Sequence, residues 1–143
     1  MRYSKSTSYS MNVAHDAWND LDELYEVDES AAYAIDVFLE EAADSQVILE
    51  RLAEIQHYRS YALEGDWDYD IKRWVALWSR YALLRVRLYD VPGEAANYRI
   101  IYAFHPFERR IYILGIVART FDYDPEHPIS KRIIAVYRSL DLS

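Results

Sequence analysis

Arginine recurs where the apolar runs in the second half of the chain begin and end. In "LLRVRLYD" (residues 83–90) Arg85 and Arg87 alternate with Val86 and Leu88, and in "YRIIYAFHPFERRIYILGIVARTFDYD" (98–124) Arg99 stands near one end, Arg119 and Tyr123 near the other. Successive side chains of a strand point to opposite faces, so Arg85 and Arg87 share a face while Val86 and Leu88 turn to a core. If 97–104 and 110–118 form an antiparallel hairpin, Arg99 and Arg119 lie close together at its open end. Four guanidiniums converging on one concave surface suit a phosphodiester, because Arg stays protonated and its planar fork grips a phosphoryl group bidentately. The competing reading is structural, since strand arginines also pair with acids across a sheet and acids are plentiful here.

Charge sharpens the contrast. Residues 1–70 hold 17 Asp/Glu against 4 Lys/Arg, a net of -13, and residues 71–143 hold 7 against 12, a net of +5, within a chain of net charge -8. An acidic half and a basic half imply different partners, or an acidic solvated face on helices beside a cationic sheet.

Other groups that could move protons or hold metals read as structural. Asp122, Asp124 and His127 lie nearest Tyr123, but Asp124-Pro125 is a turn starter and His127, between Glu126 and Pro128, suits a cap or an exposed position. His105-Pro106 is a hairpin-turn pair; His15 and His57 fall on expected helices without an identifiable partner. The acids at 66, 68 and 70 imitate a calcium loop but lack its Gly at the sixth position and its closing Glu. With no cysteine in the chain, neither a disulfide framework nor a thiolate metal site is available. No metal and no cofactor are implied.

The elements that must position these residues follow from periodicity. Its 143 residues, 52% hydrophobic and 15% aromatic, suffice for one domain with its own core. Residues 8–13 read as a short strand. Helical spacing covers 15–27 (Trp18, Leu21, Leu24, Tyr25), 31–43 (Ile35, Phe38, Leu39) and 44–62 (Ile48, Leu52, Ile55), with Asp28 or Ser30 and then Ser45 as caps. "LEGDWDYD" (63–70) reads as a loop. "IKRWVALWSRY" (71–81) places Trp74, Leu77, Trp78 and Tyr81 at i, i+3, i+4, i+7, a buried helical turn under the sheet. Strands at 83–89, 97–104 and 110–118 joined by "DVPGEA" and "HPFER" predict antiparallel pairing, and "HPISKRIIAVYRSL" (127–140) reads as a closing helix. The expected fold is α+β: one domain over 1–143, with the first strand and acidic helices in 8–63, the small antiparallel sheet and C-terminal helix in 74–140, and the helices gathered on one face. "MRYSKSTSYSM" has no leader-like apolar run and no segment nears the roughly 20 apolar residues that span a bilayer, so the expectation is a cytoplasmic protein with no membrane contact.

The order of "LLRVRL", "YRIIYAF", "IYILGIVAR" and the following Tyr resembles the RelE/ParE superfamily of toxins from type II toxin–antitoxin systems. The motifs match over about residues 74–140; over 8–60 the likeness is one of topology. The resemblance implies a toxin held inactive by a cognate antitoxin protein. RelE-like members are ribosome-dependent endoribonucleases that cut mRNA and inhibit translation, with ribosome and mRNA as partners; ParE-like members poison DNA gyrase without nuclease residues. A third possibility is a catalytically inactive interaction protein of the same fold. For the nuclease, the resemblance implies Arg99, Arg119 and Tyr123 as catalytic residues and Arg85 and Arg87 as substrate-binding residues. Cleavage by the RNA's own 2′-hydroxyl needs that hydroxyl deprotonated, the phosphorane stabilised and the 5′-oxygen protonated. Arginines supply the second only. Tyr123 could be the acid, or could stack on a base. The sequence departs from RelE-like enzymes at 85 and 87, which carry Arg where lysine is common.

Overall fold

Three helices in succession form because each carries an apolar stripe and, at the second and third, a side-chain cap. In the computed structural model, which describes residues 8–61, 67–78, 80–89, 95–121 and 123–141, strand β1 (Ser10–Val13) leads directly into α1 (His15–Val27). Asp28 then accepts the Ala31 N–H and starts α2 (Glu29–Ala43); Ser45 accepts the Ile48 N–H and starts α3 (Gln46–Ala53). Both caps satisfy amides that the first turn leaves without partners. Leu21, Leu24, Ile35, Phe38, Leu39, Leu49 and Leu52 line the buried side of the layer.

The remaining elements are β2 (Tyr58–Ser60), β3 (Tyr69–Arg73), β4 (Leu84–Leu88), β5 (Tyr98–His105), β6 (Arg110–Ala118) and α4 (Pro128–Ser139), with short 3₁₀ turns at Val75–Leu77 and Ala95–Asn97. The strands form one sheet of order β1-β6-β5-β4-β3-β2. Neighbours from β2 to β6 are antiparallel, but β1 runs parallel to β6. The sheet is therefore mixed and six-stranded, not the small antiparallel sheet expected. Parallel pairing at β1 follows from its connection: α1 to α3 and four strands separate it from β6, and no hairpin constrains its direction.

Two cores flank the sheet, and strand alternation sorts residues between them. Val86, Ile100, Tyr102, Ile111 and Ile113 face α1 to α3. Ile101, Ala103, Leu114 and Val117 face the other way, against Ile133 of α4 and against Trp74, Leu77, Tyr81 and Phe121. The helices are thus not gathered on one face: α4 covers the second, over β5 and β6. Gly115 permits its close approach, because a Cβ there would stand 3.2 Å from Ile133 Cδ1 and 3.3 Å from Asp20 Oδ2. Through that gap Asp20 accepts the Ile116 N–H at 3.0 Å and both Arg132 terminal nitrogens, at 3.0 and 2.8 Å.

Other departures have local causes. The third helix ends at Ala53 instead of running to 62, and Ile55 takes a left-handed φ of 49°, so the chain turns back to form β2. β3 takes Tyr69 and Asp70 from the expected loop and Ile71, Lys72 and Arg73 from the expected helical turn. Trp74, Leu77 and Tyr81 are buried as expected, but Trp78 is half-buried and packs toward the first core, with Arg73 over its ring at 4.5 Å. Half of the "LEGDWDYD" loop (63–66), most of the "DVPGEA" link (90–94) and Asp122 lie outside the described residues. Among the described residues no helix is long and apolar enough to cross a membrane, and no group of three or more His, Cys, Asp or Glu could hold a metal ion.

Tyr102 anchors the middle of the sheet. It is fully buried, and its hydroxyl donates to the Leu52 carbonyl at 3.0 Å. Burial, and secondarily Tyr69, raise its pKa well above the usual value. A phenol that ionises more readily unfolded than folded stabilises the fold fully below pH of about 10, and that stability is lost as pH rises from there toward the folded pKa. Above pH of about 10, unfolding free energy should fall by about 1.4 kcal/mol per pH unit for this group. Tyr102→Phe should flatten the alkaline limb of a urea-unfolding series by that slope. At neutral pH it should cost about 1 kcal/mol, for the Leu52 carbonyl left without a donor.

Candidate phosphate-binding face

α4 covers only part of the second face. Over β2, β3 and β4 that face is built from polar residues, because Tyr58, Tyr69, Ile71, Leu84, Val86 and Leu88 turn to the first core and their neighbours must point away. Register aligns these neighbours. Arg59 stands opposite Asp70, and Asp70 opposite Arg87. One step beyond the Val86–Ile100 pair brings Arg87 opposite Arg99, which pairs with Val117. A single cross-strand row therefore reads Arg59, Asp70, Arg87, Arg99. The next row holds Lys72 opposite Arg85, and Arg85 opposite Ile101.

Three of the expected site arginines meet here. Arg99 is held by the carbonyls of Ala96 at 2.8 Å and Tyr98 at 3.1 Å. Burial lowers its pKa, and the charges of Arg87 and Arg85 lower it further. Arg85 lies 3.9 Å from Asp70, itself 7% exposed. That pairing is the cross-strand salt bridge of the structural reading, but it is too long for a hydrogen bond. Arg87 lies over the ring of Tyr89 at 4.6 Å.

Tyr123 joins them from the far side. Its ring packs edge-on to Trp74 at 5.0 Å and tilted against Phe121 at 5.0 Å, and the Trp74 indole N–H donates to its carbonyl at 3.3 Å. Its backbone is left-handed, φ 60°, a conformation costly for a residue with a Cβ and one that clusters at functional sites. Burial raises its pKa; Arg85 and Arg99 oppose that shift. The phenol is thus held protonated beside two guanidiniums.

Among the described residues, Arg85 Nη1, Arg87 Nε and Tyr123 Oη are buried with no hydrogen-bond partner. A buried unsatisfied donor costs about 1–3 kcal/mol, and such groups are few in a native fold. Here three converge, all can donate, and two are cationic. An oxyanion with several acceptor oxygens is their chemical complement.

Arg119 is placed differently. It follows β6, its side chain is exposed, and its N–H donates to the Asn97 carbonyl at 2.7 Å. That fixes it beside the start of β5, yet among the described residues its side chain makes no hydrogen bond or ring contact with the other four. His127 and His105 behave as read from sequence, and His15 opens α1, but His57 lies between α3 and β2 and not on a helix. His127 Nδ1 accepts the Ile129 N–H at 3.0 Å and caps α4; His105 Nδ1 accepts the Glu108 N–H at 3.3 Å within the β5–β6 turn. Asp124 accepts the Glu126 N–H at 2.9 Å, as a turn starter should.

Arg59, Asp70, Lys72 and Tyr89 belong to the face and were missed. The alternation Asp-Ile-Lys in "YDIKR" was the available signal, and dividing it between a loop that ends at Asp70 and a helical turn that starts at Ile71 hid it. Comparison with family models, with curated proteins and with solved structures found no match to this chain.

Proposed function

We propose that this face binds the phosphodiester backbone of single-stranded RNA, and that the chain is a toxin of a type II toxin–antitoxin system acting as a ribosome-dependent mRNA endoribonuclease of RelE/ParE type. The observation that supports phosphate binding is three buried donor atoms without a hydrogen-bond partner, on Arg85, Arg87 and Tyr123, all three residues close enough to Arg99 to act on its charge. Arg85, Arg87 and Arg99 carry the charge of the phosphorane. Tyr123, protonated at neutral pH, donates to the leaving 5′-oxygen, and the two guanidiniums stabilise the phenolate that results. Arg119 extends the positive field at the open end of the β5–β6 hairpin. The partners on this reading are a cognate antitoxin protein, the ribosome and mRNA.

One observation favours a non-nucleolytic toxin, or an interaction protein of this fold, as the second reading. Among the described residues the cluster holds no imidazole, and its one carboxylate, Asp70, faces Arg85. A base for the 2′-hydroxyl is the missing part.

The test is a salt titration of binding to a short single-stranded RNA, with ribosomes in parallel. Log K should fall with log salt at a slope of about -0.7 per phosphate contacted. Arg87→Ala should make that slope shallower by about 0.7, while Glu23→Ala on α1 should leave it unchanged. Absence of binding to either ligand at low salt would reject the phosphate site and leave the protein-binding reading. Primer extension on ribosome-bound mRNA separates cleavage from binding alone.

A further inference from the structure

Arg59 links two tyrosines beyond the phosphate cluster. Its guanidinium lies 4.3 Å from the ring centroid of Tyr61 and 4.2 Å from that of Tyr89, and Tyr89 also lies 4.6 Å from the Arg87 guanidinium. The order Tyr61, Arg59, Tyr89, Arg87 is therefore a ladder in which rings and guanidiniums alternate. Arg59 is fixed within it by hydrogen bonds to Asp68 and to the carbonyls of Ser60 and Tyr69. The Asp68 hydrogen bond is the main cause holding its pKa above the ordinary value. The inner end of the ladder is the phosphate cluster. The outer end is Tyr61, which is 68% exposed.

Resting on the phosphate-binding reading, we propose that a bound RNA strand runs across the β-strands along this row, and that one of its nucleobases stacks on Tyr61. Geometry supports the direction. From Arg59 on β2 to Arg99 on β5 is three inter-strand steps, about 14 Å at about 4.8 Å each, room for more than one phosphate. A base placed on Tyr61 continues the ladder with another π-face beside a fixed guanidinium, which is how single-strand binders hold bases without reading their identity. A duplex hides its base faces, so the ladder selects unpaired RNA.

The experiment measures affinity for three labelled probes: a six-nucleotide single-stranded adenine RNA, the same backbone without bases, and a duplex. Tyr61→Ala should weaken binding of the adenine RNA roughly 5- to 150-fold, as loss of one base–aromatic stack does. It should change the baseless backbone less than about twofold and leave the salt slope unaltered. Tyr61→Phe should retain affinity within about twofold, since the ring does the stacking. Equal weakening on both single-stranded probes, or a duplex bound as tightly as the single strand, would overturn the stacking. If Tyr61→Ala changes nothing while Arg87→Ala weakens binding, the stacking fails and phosphate binding stands. If no probe binds at low salt, both fall.

Discussion

Expression of this chain in a bacterium lacking a matching antitoxin should arrest growth, and Arg99→Ala should lift that arrest while leaving the protein folded. Arg99 sits half-buried, and burial first, then the charges of Arg87 and Arg85, lower its pKa. Removing it relieves like-charge repulsion, and the loss of its bonds to Ala96 and Tyr98, each about 1 kcal/mol, offsets the gain. Net stability should move by about 1 kcal/mol or less. Cleavage, by contrast, should drop by about 10²–10³, the usual effect of deleting one pre-placed donor to a developing oxyanion. That split, small in unfolding and large in primer extension, is what a purely structural arginine would not give. Arg119→Ala makes a useful companion, since the resemblance assigns it a catalytic role while its side chain is exposed. Full arrest by a folded Arg119→Ala protein would remove Arg119 from the site; full arrest by Arg99→Ala would remove the cluster.

The parts of this fold that sequence made legible are those in which one periodicity runs unopposed. Val86 and Leu88 alternate with Arg85 and Arg87, so β4 and its cationic face could be read together. The long apolar runs of β5 and β6 gave their bounds to within a residue or so, and Pro128 with His127 marked the start of α4. What was hidden is short or ambiguous. β2 has 3 residues and β3 has 5, lengths at which a two-residue period barely repeats. The stripe of Trp74, Leu77, Trp78 and Tyr81 has helical spacing, but among the described residues only Val75–Leu77 is helical there, and its members divide between the two cores. Missing β3 concealed half the site. Arg85, Arg87, Arg99 and Tyr123 could be gathered from sequence, whereas Asp70 and Lys72 are signalled only by the brief alternation of "YDIKR", and Arg59 joins them through a pairing that no local pattern announces.

Trp74 is where stability and the site meet, and Trp74→Ala should be the most destabilising of these changes. Its side chain is 2% exposed, edge-on to Phe121 at 5.9 Å and to Tyr123 at 5.0 Å. Truncating a buried Trp costs about 3–5 kcal/mol, and for a domain of this size the thermal midpoint should fall by about 10–20 °C. Trp78→Ala is the internal comparison: that ring is half-buried, and its loss should cost roughly half as much or less. Trp74→Phe separates packing from hydrogen bonding. It keeps an aromatic ring in the core but removes the indole N–H that holds the Tyr123 carbonyl. A left-handed, non-glycine Tyr123 persists only because its surroundings hold it, at a strain of about 1–3 kcal/mol. Without that bond the residue can relax, carrying its hydroxyl away from Arg85 and Arg99. Trp74→Phe should therefore cost about 1–2 kcal/mol in unfolding, yet reduce cleavage or RNA binding further than that loss explains at a temperature where the variant remains folded. An unchanged thermal midpoint in Trp74→Ala would show that the indole is not core. Unchanged activity in a folded Trp74→Phe would show that Tyr123 keeps its place without the indole, leaving Phe121 and the turn into α4 as its supports.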